Sequence, residues 1–379
     1  MTKSNLAANL RRYMKLSETT NTIEKLAEKS TVSKSTISNI LNERGETSLL
    51  ILELLANALN VNSAKLLTEK PVLKSLRYRA NKSMSAREKA ASENLIYSAT
   101  EWMNDYSDFT KSHPQNKKYG EILQIREKNP IELAKKVRKA WGIEKSSPIF
   151  NLEDYIYDSG IIILGISFGF RQTFGVSIGP EDGGPAILVN TDSSISAERQ
   201  VFTMAHELGH ILMHCDNFTK NIEKDSSIDR QEEKEADVFA SNLLMPEEAF
   251  FEYLKKTINL GLVESTLKIK RYFALSYEAV LYRLCEVTGL DYSETVKKFR
   301  FFYKEKYKHD FAAHYEPQSL GELEFTNSSA KESIFSAVKN DEITLTRAGH
   351  LLGLSEKSVS EEYRLWLSNK EDAFTKLTI

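Results

Sequence analysis

Cysteine is scarce in this chain of 379 residues. Cys215 and Cys285 cannot build a disulfide framework, which points to a reducing compartment. No run approaches the roughly 20 consecutive apolar residues that cross a bilayer, so a membrane partner is not expected. The opening MTKSNLAANLRRYMKLSETT lacks the apolar stretch of a secretory signal, and the expectation is a soluble, cytoplasmic protein. Net charge is nearly absent too. The 51 Lys and Arg stand against 53 Asp and Glu, a formal charge of −2, which excludes a polycationic nucleic-acid coat but leaves room for a local basic face. Repeats and low-complexity tracts are missing as well. Domains usually run about 100–200 residues, so two or three are expected.

What is present falls into four segments: 1–70, 71–130, 131–285 and 286–379. The first reads as short helices. IEKLAEKS (Ile23 to Ser30) places Ile23, Leu26 and Ala27 on one helix face. Thr31 and Val32 break it, and Ser33 caps a second helix, KSTISNIL, from Lys34 to Leu41. The second segment is polar and helical in flavour, a linker or arm. The third opens strand-rich: GIIILGISF is one β-branched strand, and FGVSIGPEDGGPAILVN reads as two around a Gly/Pro turn. Helices then begin after the cap Ser196 and over DRQEEKEADVFASNLLM. The fourth segment is helical.

The chemistry concentrates in FTMAHELGHILMHC. His206 and His210 are one helical turn apart, with about 5–6 Å between Cβ atoms, so two imidazoles can take adjacent positions on a tetrahedral Zn²⁺. Glu207 lies about 100° round the helix, where it reaches a water on the metal rather than the metal itself. Such a site needs a third protein ligand and one open position. Glu233 and Asp237 are spaced to share the apolar face of the next helix, which is costly unless they meet a cation. Glu233 is expected as the third ligand, with Asp237 accepting the free N–H of a liganding imidazole. An ordinary charged surface accounts for Glu232, Lys234 and Glu235 but poorly for Asp237. His214 reads as structural or supporting, Cys215 as a buried small hydrophobe. Gly209 makes room for substrate or another backbone. Tyr272, Tyr282 and Arg283 are candidate oxyanion stabilisers, and an extended substrate is expected along the strand edge near AILVN.

ERQVFTMAHELGHILMH followed by EKEADVFASNLLMP resembles the ImmA/IrrE family of zinc metallopeptidases, and the likeness spans roughly Ala134 to Arg283. The resemblance implies a gluzincin-like α+β fold with a small β-sheet, His206, His210 and Glu233 on zinc, and Glu207 as base. It also implies site-specific cleavage of a repressor. Asp237 departs from the Asn of many relatives, but either side chain accepts an imidazole N–H.

Residues Leu6 to Leu67 resemble the helix-turn-helix of XRE, or lambda-repressor-like, DNA-binding domains. That likeness puts Lys34 to Leu41 in the major groove, with Lys34, Ser35, Thr36 and Asn39 reading bases and Arg44 touching phosphate. The charge excess over 1–70 is mild, ten Lys and Arg against seven Asp and Glu. A protein-interaction or dimerisation unit is therefore the competing reading, and a homodimer stays open. ITLTRAGHLLGLSEKSVSEEY in the tail is a weaker echo that closes a helical core. The expectation is a multidomain, mostly α protein: an all-α helix-turn-helix, the central peptidase-like domain and a helical carboxy-terminal region. It would act as a DNA-binding zinc metalloendopeptidase on a repressor or on itself. The alternative is a non-catalytic transcriptional regulator, or an antitoxin-type protein, using the protease fold as a sensor or partner-binding module.

Overall fold

A computed structural model describes residues 3–16, 19–59, 61, 63–67, 76–77, 86–113, 117–168, 173–218, 226–311, 316–321, 323, 328–352, 354 and 356–377. The chain divides into two compact units, one of residues 1–73 and 85–100, the other of 74–84 and 101–379. The segment expected as a linker thus contributes to both. The boundary expected at residue 70 lies outside the described residues.

In the first unit, the two short helices form as their caps dictate. Thr22 accepts from the Lys25 amide at 3.3 Å and starts Ile23–Ser30, which ends where Thr31 turns left-handed at φ 59°. Ser33 accepts from the Thr36 amide at 3.1 Å and starts Lys34–Leu41. Leu10, Leu26, Ile37 and Leu55, all at 0 % exposure, close one core among these helices and Leu49–Leu59. The apolar positions face inward, leaving the polar faces outward.

The second unit is built on a four-stranded sheet: β1 (Leu76–Arg77), β2 (Ile162–Ile166), β3 (Gly175–Ile178) and β4 (Ala186–Asn190), in the order β1-β3-β4-β2. β4 pairs antiparallel with β3 and parallel with β2, and all five of its residues are buried. This corrects the expected substrate lane beside AILVN. Both hydrogen-bonding sides of β4 are used, so no further strand can pair there. Helix Ala197–His214 packs on β3 and β4, and helix Ser226–Leu244 packs on that helix in turn. Ser196 caps the first of these, accepting from the Arg199 amide at 3.3 Å. Buried Arg138, on Pro130–Ala140, donates to Leu243 O at 2.8 Å, satisfying a carbonyl at the end of the second. Met204, Leu208, Phe239, Leu243, Ile187 and Val189 fill the core between them.

The tail packs in smaller clusters. Phe299 and Tyr303 meet Tyr277 and Leu281, while the apolar positions of the helix-turn-helix echo, Ala348, Leu351 and Val359, are buried. Among the described residues no helix is long and apolar enough to cross a membrane.

One buried charged group anchors the start of Ala197–His214. Glu198, at 0 % exposure, pairs with buried Lys270 and accepts from the Leu320 amide at 2.7 Å. Glu316 joins at 3.5 Å from Lys270 and accepts from the Tyr277 amide. Two carboxylates share one ammonium. Burial, aided by the Glu198 charge, pushes the Glu316 carboxyl up to about 7 against the lowering pull of the Tyr277 amide and Lys270. Its ordinary value is 4.5. Between those two values the folded state holds the extra proton, so this contribution to stability falls as pH rises through the window. Glu316→Gln is expected to flatten that fall and to unfold at a higher temperature than wild type above about pH 7. Thermal unfolding across the window checks it; an unchanged slope refutes it.

Candidate metal centre

His206 and His210 follow one another on the helix Ala197–His214, and Glu233 reaches them from Ser226–Leu244. Their ligand-type atoms lie within 4.8 Å of one another. His206 Nε2 is 3.4 Å from Glu233 Oε2, His210 Nε2 is 3.4 Å from Glu233 Oε1, and the two Nε2 atoms are 3.0 Å apart. Bonds of about 2.0–2.1 Å in a tetrahedron put neighbouring donors roughly 3.3 Å apart, so these separations, each imidazole facing its own Glu233 oxygen, are of the size a zinc site needs. The donor set, two imidazoles and a carboxylate, fits Zn²⁺. The side chains of His210, His206 and Glu233 are 2 %, 15 % and 17 % exposed. Burial alone lowers the His206 pKa, but its bonds to Asp237 and Glu233 and the Glu207 charge reverse this and raise it to about 9. Burial raises Glu233, and the two histidines outweigh it and hold its carboxyl well below the usual range. The corner favours positive charge.

Each histidine is gripped from behind. Asp237 Oδ1 accepts from His206 Nδ1 at 2.9 Å. Yet the Asp237 side chain is 61 % exposed, which corrects the expectation of a buried acid: it sits where the helix face turns to solvent. Behind His210, Nδ1 lies 2.9 Å from His214 Nδ1, and His214 Nε2 lies 3.0 Å from Glu235 Oε2. Glu235 is therefore engaged rather than simply solvated, and Glu232 is buried at 6 % exposure; the expected split of the acids between faces was too simple. Cys215 is half-buried, not buried. Gly209 serves the neighbouring helix: a Cβ there would come within 2.9 Å of Phe239 and 3.4 Å of Ala236 Cα.

Glu207 points to the sheet. Ser177, fully buried on β3, donates its hydroxyl to the Glu207 carboxylate, and Oγ is 3.1 Å from the Glu207 carbonyl oxygen. Ser177 was not singled out in the sequence, because only the sheet brings it beside a residue so distant in the chain. Gly175, two residues earlier, is what lets β3 approach. A Cβ there would lie 2.5 Å from Thr203 Cγ2 and 2.9 Å from Glu207 Cγ. Gly175→Ala must push β3 off the helix, and overpacking of this kind costs about 1–3 kcal/mol. Chemical denaturation is expected to show that loss; a wild-type midpoint rejects the close approach.

The three oxyanion candidates each have neighbours of their own. Tyr272 stacks on Tyr253 with centroids 4.1 Å apart, Tyr282 is 60 % exposed against Tyr292, and Arg283 donates to Ser241 and Glu286 at 2.7 Å. A cavity of about 1110 Å³ borders the site through Asp237 and Phe202, but His206, Glu207, His210 and Glu233 do not line it.

On the first unit, Lys34, Ser35, Asn39 and Arg44 are exposed and Thr36 is half-buried. Lys34 is 3.8 Å from Glu24, and the Ser35 and Thr36 hydroxyls lie 2.9 and 2.8 Å from Ser33 Oγ. The Arg44 amide donates to Asn39 O at 2.8 Å, setting the loop beside the end of Lys34–Leu41.

Residues 165–285 match the family model of the IrrE N-terminal-like domain, a peptidase family, and residues 10–66 match that of a helix-turn-helix family. No curated protein matches the chain. The chain thus joins an XRE-type helix-turn-helix to an ImmA/IrrE-like domain.

Proposed function

We propose that this chain is a DNA-binding regulatory zinc metalloendopeptidase, which hydrolyses a peptide bond in a transcriptional repressor, or in itself, to switch gene expression. The observation that carries this reading is the convergence of His206, His210 and Glu233 at donor spacings of 3.0–3.4 Å beside Glu207. When bound by those three side chains, Zn²⁺ supplies Lewis-acid activation of a water and of the scissile carbonyl. Glu207 then takes a proton from the water and returns it to the leaving amine. The Ser177 hydroxyl holds the Glu207 carboxylate to the sheet, fixing the side from which it works.

The test is co-expression with neighbouring repressor genes, reading out a truncated band. Wild type is expected to cut and Glu207→Gln to be slower by roughly 10²–10⁴-fold, the usual worth of a general base. Wild type should carry stoichiometric zinc by mass spectrometry and His206→Ala should not. Cleavage by Glu207→Gln at the wild-type rate rejects the reading.

The helix-turn-helix supplies DNA binding, and the operator contacts proposed are Lys34, Ser35, Thr36 and Asn39, with Arg44 on phosphate. Asn39→Ala is expected to cost about 1–3 kcal/mol and to relax preference at one base pair. Arg44→Ala should weaken binding evenly across sequences and lower the salt slope by about one. Gel-shift titrations over a salt series on a selected operator check both. Unaltered sequence preference in Asn39→Ala removes it from the reading set.

A further inference from the structure

We propose that His214 and Glu235 are positioning residues that lock His210 in the tautomer able to bind metal, an inference that rests on the metal-site reading above. The observation is a chain of ring and carboxylate contacts leading away from the donor corner. His210 Nδ1 lies 2.9 Å from His214 Nδ1, and His214 Nε2 lies 3.0 Å from Glu235 Oε2. Gln231 Nε2 donates to the other oxygen of Glu235 at 2.8 Å. His214 is 4 % exposed, so bulk water does not compete for either of its ring nitrogens.

One arrangement of protons satisfies these contacts together with a metal. For His210 Nε2 to offer a lone pair towards Glu233 and His206, the single N–H of the neutral ring must sit on Nδ1. That N–H points at His214 Nδ1, which must therefore be bare and accept. The one proton of neutral His214 then lies on Nε2, where it donates to the Glu235 carboxylate. Glu235 thus fixes the tautomer of His214, and His214 fixes that of His210. If His214 carried its proton on Nδ1 instead, two N–H groups would face each other at 2.9 Å.

The two ligands are held by unlike partners. His206 leans on a carboxylate that is 61 % exposed, whereas His210 leans on a buried imidazole backed by a carboxylate. The helix supplies the alignment. His206, His210 and His214 recur every four residues, and successive ring centroids are 4.7 and 5.1 Å apart. The third histidine of HELGHILMH is too far along the helix to bind the same ion, but it is placed to tune the second.

The experiment measures zinc affinity of the full chain by competition with a chelating dye, alongside the visible spectrum of the Co²⁺-loaded protein. His214→Leu is expected to weaken zinc binding by roughly 10–100-fold, the usual cost of losing such a partner, and to alter the cobalt bands. His214→Asn, whose side-chain oxygen can accept where Nδ1 did, should recover most of that affinity. Glu235→Leu should lose affinity and Glu235→Gln keep it. In the wild-type zinc form, ¹⁵N spectra of the imidazoles should show the proton of His214 on Nε2. Equal losses in His214→Leu and His214→Asn mean a packing role and overturn the proposal, as does wild-type affinity in His214→Leu. A proton on His214 Nδ1 overturns it without any variant. A wild-type chain that binds no zinc overturns the metal-site reading itself, and this inference with it.

Discussion

Two imidazole nitrogens 3.0 Å apart, each 3.4 Å from its own oxygen of the Glu233 carboxylate, crowd three polar groups into one corner, which a proton or a cation must reconcile. That constraint organises the second unit. The two histidines come from one helix, but the carboxylate comes from another, so the site exists only if both helices hold their distance and rotation. Gly209 sets the distance by admitting Phe239 and Ala236 against the helix backbone. Rotation follows from the apolar stripe of Val201, Ala205 and Leu208, buried against the sheet and the helix Ser226–Leu244. Deviation by one residue in either helix would carry a donor about 100° away.

The same helix serves two opposed neighbours. Its histidine face meets Glu233 and Asp237, while Glu207 meets β3 through Ser177. A carboxylate held by a hydroxyl on a buried strand is turned from the histidine face, which sets Glu207 apart from Glu233. Glu198, Lys270 and Glu316 hold the start of the helix, and Arg138 holds the end of its partner. The frame around the site is thus polar at the ends of both helices and apolar along their length.

What the sequence disclosed was whatever depends on local spacing. The caps Ser33 and Ser196, the two strands flanking the Gly/Pro turn and the i, i+4 histidines are all short-range features, and the structure has them where the pattern put them. Glu233 stood out because an acid on an apolar face demands a partner, and the structure sets its carboxylate beside His206 and His210. Three things did not stand out. Strand order is a property of the whole sheet, so Ala186–Asn190 read as an edge when it is central. Ser177 and Gly175 acquire meaning only through pairing with a distant helix. And the burial of the acids Glu232, Glu235 and Asp237 depends on which neighbouring element covers each face, which spacing along one helix does not disclose.

The three residues of the metal corner all belong to the second unit, and the first has a core of its own. Its core of Leu10, Leu26, Ile37 and Leu55 is closed among its own helices, and the exposed polar positions of Lys34–Leu41 are held by caps within the unit. On the proposed function, loss of an ion at His206, His210 and Glu233 would remove chemistry while leaving the core of the first unit as it is. That reading separates two questions, where to sit and whether to cut. The first would be answered by packing and by a hydroxyl-rich helix face, the second by three side chains drawn from two helices.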